Sequence, residues 1–263
     1  MLERVATGFL LAAIIATAAR RARSLSGPGA VAAIIIGAAA VAAGWAWGAL
    51  LVLYFVSSSA LSRFRRDEKQ AITAGVVAKG GERDAKQVFA NGGIFAACLV
   101  LAAAESGPFA ATMAVAAVGA LAASAADTWA TEIGTLFGGT PRSLLTRKPL
   151  PPGTSGAVSF AGTIGMIAGA ACVAAVAMWL GLPGNFHMTT IAGIAGAVAD
   201  SLLGATVQER RWCATCELFS EQRTHECGSP TTRTSGRDWM DNDLVNLLST
   251  FVGASVAAAL ATI

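Results

Sequence analysis

Long apolar stretches without one charged side chain alternate along this chain with short polar segments. Residues 5–19, 24–62, 87–104, 106–126, 149–199 and 244–263 contain no Asp, Glu, Lys or Arg. An uncharged apolar run of about 18 residues or more reads as a membrane-crossing helix, since about 20 residues at roughly 1.5 Å rise each traverse the hydrocarbon layer. The run from Ser24 to Ser62 is too long for one crossing. It fits a tight hairpin broken at Gly44-Trp45-Ala46-Trp47-Gly48, where tryptophans suit the interface and glycines weaken the helix. The run from Pro149 to Ala199 divides at Gly181-Leu182-Pro183-Gly184-Asn185, and Glu105-Ser106-Gly107-Pro108 separates two further crossings. Eight spans follow, near residues 4–20, 28–44, 46–62, 88–105, 108–127, 156–180, 188–206 and 243–262. The expected fold class is all-α: a polytopic helical bundle forming one integral-membrane domain over residues 1–263, with polar loops on the cytoplasmic side.

The placement of charge sets the orientation. With loops 20–27, 63–87, 128–155 and 207–242 in the cytosol, 18 of the 19 Lys and Arg residues lie inside and only Arg4 lies outside, as the positive-inside bias requires. Both termini are then outside. The first segment is either a true span or an interfacial helix; a cleaved signal peptide fits worse, because Arg20, Arg21 and Arg23 follow it directly and would be exported. Only 13% of the chain is charged, about half the usual share of a soluble domain, which argues against a disordered chain or a water-soluble enzyme. The net charge of +3 is accounted for by the inside loops, so no nucleic-acid partner is expected. The small-residue repeats Gly162-Thr163-Ile164-Gly165 and Gly193-Ile194-Ala195-Gly196 suit close helix packing in lipid.

Ionisable groups at the edge of a span are costly and mark function. Asp127 ends the run 108–126, and Asp200 follows Val198-Ala199; both stand in Ala-Asp-(Thr/Ser), near the inner end of an inward-running span. If the helix continues past Asp127, Glu132 points about 140° away from it. Either the helix breaks near Gly134, or the two acids serve different partners. Asp241 and Asp243, with Asn246 in the first turn of the last span, offer further oxygen donors, or else cap that helix. Hard oxygen ligands near a phosphate site suit Mg²⁺, so Asp127, Glu132, Asp200, Asp241 and Asp243 form the candidate metal set.

Basic and turn residues complete a phosphate site. Gly153-Thr154-Ser155-Gly156 opens a span, where free backbone N–H groups and the helix dipole favour anions. Arg147 and Lys148 add charge, Pro141-Arg142 stands just upstream, and Lys79, Arg83 and Asn91 lie at or before the mouth of the fourth span. The alternative is a plain capped turn with topogenic charges. No Walker A, G-x-G-x-x-G or kinase catalytic-loop pattern occurs. Cys213, Cys216, His225 and Cys227 fall within one cytoplasmic loop, 207–242, and fit a structural Zn²⁺ that leaves no position open for catalysis. Cys98 and Cys172 lie in spans as small packing residues.

Several of these motifs occur together in one order: Ala126-Asp127-Thr128-Trp129-Ala130-Thr131-Glu132-Ile133-Gly134, Pro141-Arg142, Gly153-Thr154-Ser155-Gly156, Ala199-Asp200-Ser201-Leu202-Leu203-Gly204-Ala205-Thr206-Val207-Gln208 and Asp241-Asn242-Asp243-Leu244-Val245-Asn246. In this the chain resembles the integral-membrane family that includes plant phytyl-phosphate kinase and an animal transmembrane protein of unknown function. The Cys/His cluster is not a general feature of that family. Over a shorter stretch, Asp127-x-x-Ala130-x-x-x-Gly134 is similar to CTP-using membrane enzymes, among them polyprenol kinases and CDP-lipid synthases.

The resemblance implies a kinase that moves a phosphoryl group from a nucleoside triphosphate, with CTP favoured, to an isoprenoid monophosphate. On that reading Asp127, Asp200 and Lys148 act catalytically. Arg142, Gly153, Thr154, Ser155, Gly156, Lys79, Arg83, Asn91 and Asn246 bind nucleotide or phosphate. A cytidylyltransferase making a CDP-lipid and a small transporter or flippase are the alternatives. The expected location is a prokaryotic inner or plasma membrane, with the site facing the cytosol.

Overall fold

The computed structural model describes residues 2–77 and 81–262. Its helices are α1 (Leu2–Arg21), α2 (Gly27–Ala43), α3 (Trp45–Arg63), α4 (Arg66–Ile72), α5 (Ala85–Ala104), α6 (Gly107–Phe137), α7 (Phe160–Trp179), α8 (Phe186–Thr206) and α9 (Asn242–Leu260). Each of the eight expected spans is present as a long helix. Six of them, α3 and α5 to α9, are long and apolar enough to cross a membrane; α2 is a shorter apolar helix of 17 residues. The starts are locally encoded. Ser26, Ser159, Asn185 and Asp241 accept hydrogen bonds from first-turn amides of α2, α7, α8 and α9, while Asp84 and Gln87 form a reciprocal capping box on α5.

Three features depart from the expected outline. Helix α6 runs unbroken ten residues past Asp127 to Phe137, so Asp127 lies inside a helix instead of ending it. The α3–α5 connection contains the short helix α4, whose Asp67 and Glu68 sit in its first turn. The loops also contain strands. β1 (Arg142–Ser143) and β2 (Ala157–Val158) pair as a hairpin, and β3 (Arg210–Cys213), β4 (Leu218–Ser220) and β5 (Thr232–Ser235) form a sheet of order β4-β3-β5.

Helix α6 is the axis of the bundle. It packs against α3, α5, α7, α8 and α9, and every residue from Ala116 to Ala126 is buried, so no face is left to solvent or lipid there. Its neighbours approach through glycine. A Cβ at Gly169 of α7 would stand 2.6 Å from the Ala125 carbonyl, and one at Gly165 would stand 2.6 Å from that of Trp129. Gly193 of α8 abuts Ala122, and Gly253 of α9 abuts Ala123. Small residues let packed backbones interact directly where lipid supplies no hydrophobic drive between helices. The larger side chains Phe95, Leu50 and Leu99 fill the core beside α6 together with its own Leu121, with Trp47 edge-on to Phe95. Apolar residues such as Ile35, Val100, Ile164 and Phe251 remain exposed on the outer faces, as lipid contact permits and water would not.

The loops following α1, α3, α6 and α8 are stitched into one polar end. Ser26 N–H donates to the Arg83 carbonyl and Arg83 N–H to that of Ser24. Glu221 N–H donates to the Val76 carbonyl, and Gln222 Nε2 to that of Val77. Arg210 reaches the Ser155 carbonyl at 2.7 Å. Overpacking the central contact should therefore loosen the whole molecule. Gly196→Val, whose Cβ would collide with Ala123 and stand 2.8 Å from the Ser249 carbonyl, should cost at least about 1–3 kcal/mol in detergent unfolding. Gly93→Ala, with only ordinary contacts at 3.8 Å and beyond, should be neutral or stabilising; equal losses at both positions would contradict this packing.

Candidate functional site

The polar end encloses a cavity of about 1130 Å³. The contact that places its acids lies just beneath it. Ala123 of α6 touches Gly196 of α8 and Gly253 of α9. Four residues on from Ala123 and Gly196 come Asp127 and Asp200, and residues four apart share a helix face. Closing the helices at Ala123 and Gly196 therefore turns Asp127 towards Asp200. Both line the cavity, and Asp200 lies within electrostatic reach of Asp127 and Glu221. Neither Asp127 nor Asp200 has a hydrogen-bond or salt-bridge partner among the described residues, and Asp200 Oδ2 is buried.

Other expected residues converge on the same space. Asp243 is buried in the first turn of α9 and lines the cavity with Asn246. Asp241 lines it too, although its Oδ1 accepts the Leu244 amide at 2.9 Å and so caps α9. Asn91 lines the cavity from α5. Its Oδ1 accepts from Ser124 Oγ at 2.9 Å, Ser124 in turn meets Tyr54 Oη at 2.7 Å, and its Nδ2 donates to the Gln87 carbonyl at 2.8 Å. This string joins α3, α6 and α5 and fixes the Asn91 amide. Arg83 donates to Ser59 Oγ at 3.0 Å and Ser62 Oγ at 3.2 Å, with its guanidinium over the Phe55 ring.

Glu132 serves a different partner from Asp127, as an unbroken α6 demands. Its Oε1 accepts from Ser62 Oγ at 2.6 Å, and its Oε2 pairs with the buried Lys69 ammonium. Lys69 also donates to the Leu61 and Ser62 carbonyls at 2.6 and 3.0 Å, satisfying open groups at the end of α3. Both oxygens of Glu132 are thus engaged, which removes it from the set free to bind a metal.

The Gly153–Gly156 turn lines the cavity but does not open a helix. Ser159 caps α7, and strand β2 intervenes. The turn owes its position to packing on α8: Gly156 has φ +76°, and a Cβ there would stand 2.6 Å from the Ala205 backbone. Thr154 Oγ1 is buried without a partner among the described residues. The amides of Gly153, Ser155 and Gly156 form no hydrogen bond among the described residues, and no helix dipole acts on the turn. Arg142 and Lys148 do not reach it. Both are exposed and absent from the cavity lining; Arg142 donates to the Arg147 carbonyl at 3.1 Å, and the Ser143 amide bonds the Lys148 carbonyl, closing a tip away from the site. Lys79 falls outside the described residues.

The basic lining comes instead from Arg23, Arg63, Arg66, Lys69 and Arg83, of which only Arg83 was among the expected residues. Glu221 is a second unforeseen member. Its Oε1 accepts from Ser155 Oγ at 2.5 Å and Gln208 Nε2 at 2.8 Å. Beside it, burial pulls the Arg210 guanidinium below its usual range, against the opposing pull of Glu221. Besides Arg83, the Ser59 and Ser62 pair, three apart at the polar end of an apolar span, is a sequence signal that could have pointed towards this wall.

In loop 207–241 the candidate ligand atoms of Cys213, Cys216, His225 and Cys227 lie within 4.8 Å of one another. Hydrogen bonds from Ser229 hold the Cys227 thiol down at about 6, whereas a hydrogen bond with Cys227 pushes Cys216 up to about 11. The larger cavity offers donor types that could hold a hard divalent cation with phosphate. Unpartnered carboxylates and amide oxygens share one space with guanidinium groups that recognise phosphate oxygens.

The family described as integral membrane protein DUF92 matches residues 10–254. Protein PGR of Arabidopsis thaliana is 28% identical over 94% of this chain and 92% of its own length. An uncharacterized membrane protein of Synechocystis sp. is 28% identical over 82% of this chain and 74% of its own. Protein VTE6, chloroplastic, of Arabidopsis thaliana is 27% identical over 89% of this chain and 64% of its own. No solved structure gives a significant match.

The Lys69–Glu132 pair generates a prediction of its own. Glu132→Gln leaves a buried ammonium without its counter-charge and should destabilise the protein by about 3–5 kcal/mol. The double variant Lys69→Met, Glu132→Met should recover most of that loss in thermal unfolding. If both variants melt alike, the pair is not what holds α4 against α6.

Proposed function

The chain belongs to the integral membrane protein DUF92 family, and from that premise we propose that it is a lipid-phosphate kinase. In this reading it transfers the terminal phosphoryl group of a nucleoside triphosphate to an isoprenoid monophosphate at the cytoplasmic membrane face. The observation that carries the proposal is the pair Asp127 and Asp200, unpartnered among the described residues, in a cavity also lined by Arg23, Arg63, Arg66 and Arg83. Acids alone would suit a bare cation, and arginines alone a free anion. Together they suit a polyphosphate carried with its metal. The sequence resemblance to the family of plant phytyl-phosphate kinase supports the acceptor class, and the shorter likeness to CTP-using enzymes favours CTP as donor.

The reaction asks little covalent help of the protein. An ionised oxygen of the lipid phosphate bonds to the terminal phosphorus as the bond to the nucleoside diphosphate breaks, giving a lipid diphosphate and the nucleoside diphosphate. The attacking oxygen needs no general base, so catalysis is positioning and charge neutralisation. Asp127 and Asp200, with Asp243 beside them, would hold Mg²⁺, which when bound neutralises phosphate oxygens. Arg83, fixed by Ser59 and Ser62, and the open amides of Gly153, Ser155 and Gly156 would hold phosphate oxygens in line. Between α7 and α8 the lining turns apolar at Met166, Ala197 and Val198, of which Val198 is exposed. That seam offers a lipid tail a path from the bilayer. The positive-inside distribution of the four stitched loops supports the cytosolic orientation.

Purified protein supplied with Mg²⁺, prenyl monophosphates and each labelled nucleoside triphosphate should release lipid diphosphate and nucleoside diphosphate. Asp127→Asn and Asp200→Asn should each lower the rate by about 10²-fold or more while keeping the wild-type melting temperature. Arg83→Gln should weaken phosphate binding. A folded Asp127→Asn enzyme with full activity, or a product set of CDP-lipid and pyrophosphate, would overturn the kinase assignment.

A further inference from the structure

Loop 207–241 is too small to hold itself together by apolar burial. Its three-stranded sheet has β5 exposed throughout, and its buried members are few: Cys213, Ser220, His225, Thr231 and Met240 among them. Units of this size commonly need a metal or a disulfide. Two tight turns bring the thiols and the imidazole together. The first follows β3 and carries Cys213 and Cys216, with Glu217 at φ +52°. The second is closed by the Gly228 amide on the His225 carbonyl and carries His225 and Cys227. Thr215 Oγ1 bonds Ser229 Oγ at 2.9 Å and clasps one turn to the other.

The spacings match those around a tetrahedral ion. With Zn–S of about 2.3 Å and Zn–N of about 2.0–2.1 Å, ligand sulfurs stand about 3.8 Å apart and sulfur to nitrogen about 3.6 Å. Cys213 Sγ and Cys227 Sγ are 3.7 Å apart, and His225 Nδ1 is 3.3 Å from Cys227 Sγ. A disulfide would need about 2.05 Å. The other imidazole nitrogen, Nε2, is buried against Gly75, where φ is +76° and a Cβ would stand 2.6 Å away. The cluster therefore sits on the segment after α4. From it the chain runs directly into Glu221 and Gln222, which bond the Val76 and Val77 carbonyls and line the cavity.

We propose that Cys213, Cys216, His225 and Cys227 bind a structural zinc ion that docks loop 207–241 onto the segment after α4, fixing Glu221 and Gln222 in the cavity wall. The site is separate from the acids at Asp127 and Asp200 and takes no part in phosphate transfer, so its test is independent of any activity. Full-length protein purified in detergent without a metal-affinity step should contain near-stoichiometric zinc by elemental analysis. The zinc should be lost in Cys216→Ser and Cys227→Ser and kept in Cys98→Ser and Cys172→Ser. Exchange with Co²⁺ should give the visible bands of a tetrahedral thiolate site. Removal of zinc from the wild type by a chelator should expose loop 207–241 to protease while far-ultraviolet circular dichroism of the helices is unchanged. The chelator arm decides the matter even if the cysteine variants do not fold. Metal-free protein, a Cys213–Cys227 disulfide found by non-reducing peptide mapping, zinc retained in folded Cys216→Ser and Cys227→Ser alike, or a loop equally protected without zinc would each overturn the proposal.

Discussion

Asp127 and Asp200 face each other only because α6 and α8 meet one turn earlier with almost nothing between their backbones. Gly196 leaves the space that the Ala123 methyl occupies, and Gly253 of α9 closes on the same methyl. Helices separated by ordinary side chains would hold the two acids apart. The run of small residues in α6, buried from Ala116 to Ala126, is thus the geometric condition for the polar site above it. Ser249 and Thr250 reinforce it by donating to the Gly196 and Ala90 carbonyls.

Charge then follows from the solvent. A bilayer cannot solvate ions, so the ionisable groups gather where the helices end. At this end they are sorted. Lys69 and Glu132 neutralise each other in the cavity wall and tie α3, α4 and α6 together. Asp127 and Asp200 are left without such a partner among the described residues. The two kinds of acid therefore differ in role, although they lie five residues apart on one helix in the case of Asp127 and Glu132.

The spans were legible because membrane helices announce themselves by length and absence of charge: all eight appear as helices, seven of them within a few residues of their expected bounds and α6 ten residues longer at its inner end. Asp127 and Asp200 were legible for the same reason: an acid at the end of an apolar run stands out. The basic lining was not. Arg23, Arg63 and Arg66 look in sequence like topogenic charge, and only the tertiary fold brings them to one cavity. Arg142 and Lys148 looked equally suitable, but the β1–β2 hairpin holds them on an exposed tip. Glu221 had no local signal at all. It enters the site through tertiary contacts, among them those with Ser155, Gln208 and Val76. Turn position also misled: a Gly-Thr-Ser-Gly run before a span suggested a helix start, whereas the chain makes a strand first and caps α7 at Ser159.

The central claim is that the two acids and the arginine wall form one site for a metal carried with a polyphosphate. Mn²⁺, which takes Mg²⁺ sites and is visible by electron paramagnetic resonance, tests this without any turnover. Titration of the purified protein should reveal a bound Mn²⁺ whose affinity rises when pyrophosphate is present, and both the site and this coupling should vanish in Asp200→Asn. Mn²⁺ binding that is indifferent to pyrophosphate, or unchanged in a folded Asp200→Asn protein, would contradict the account.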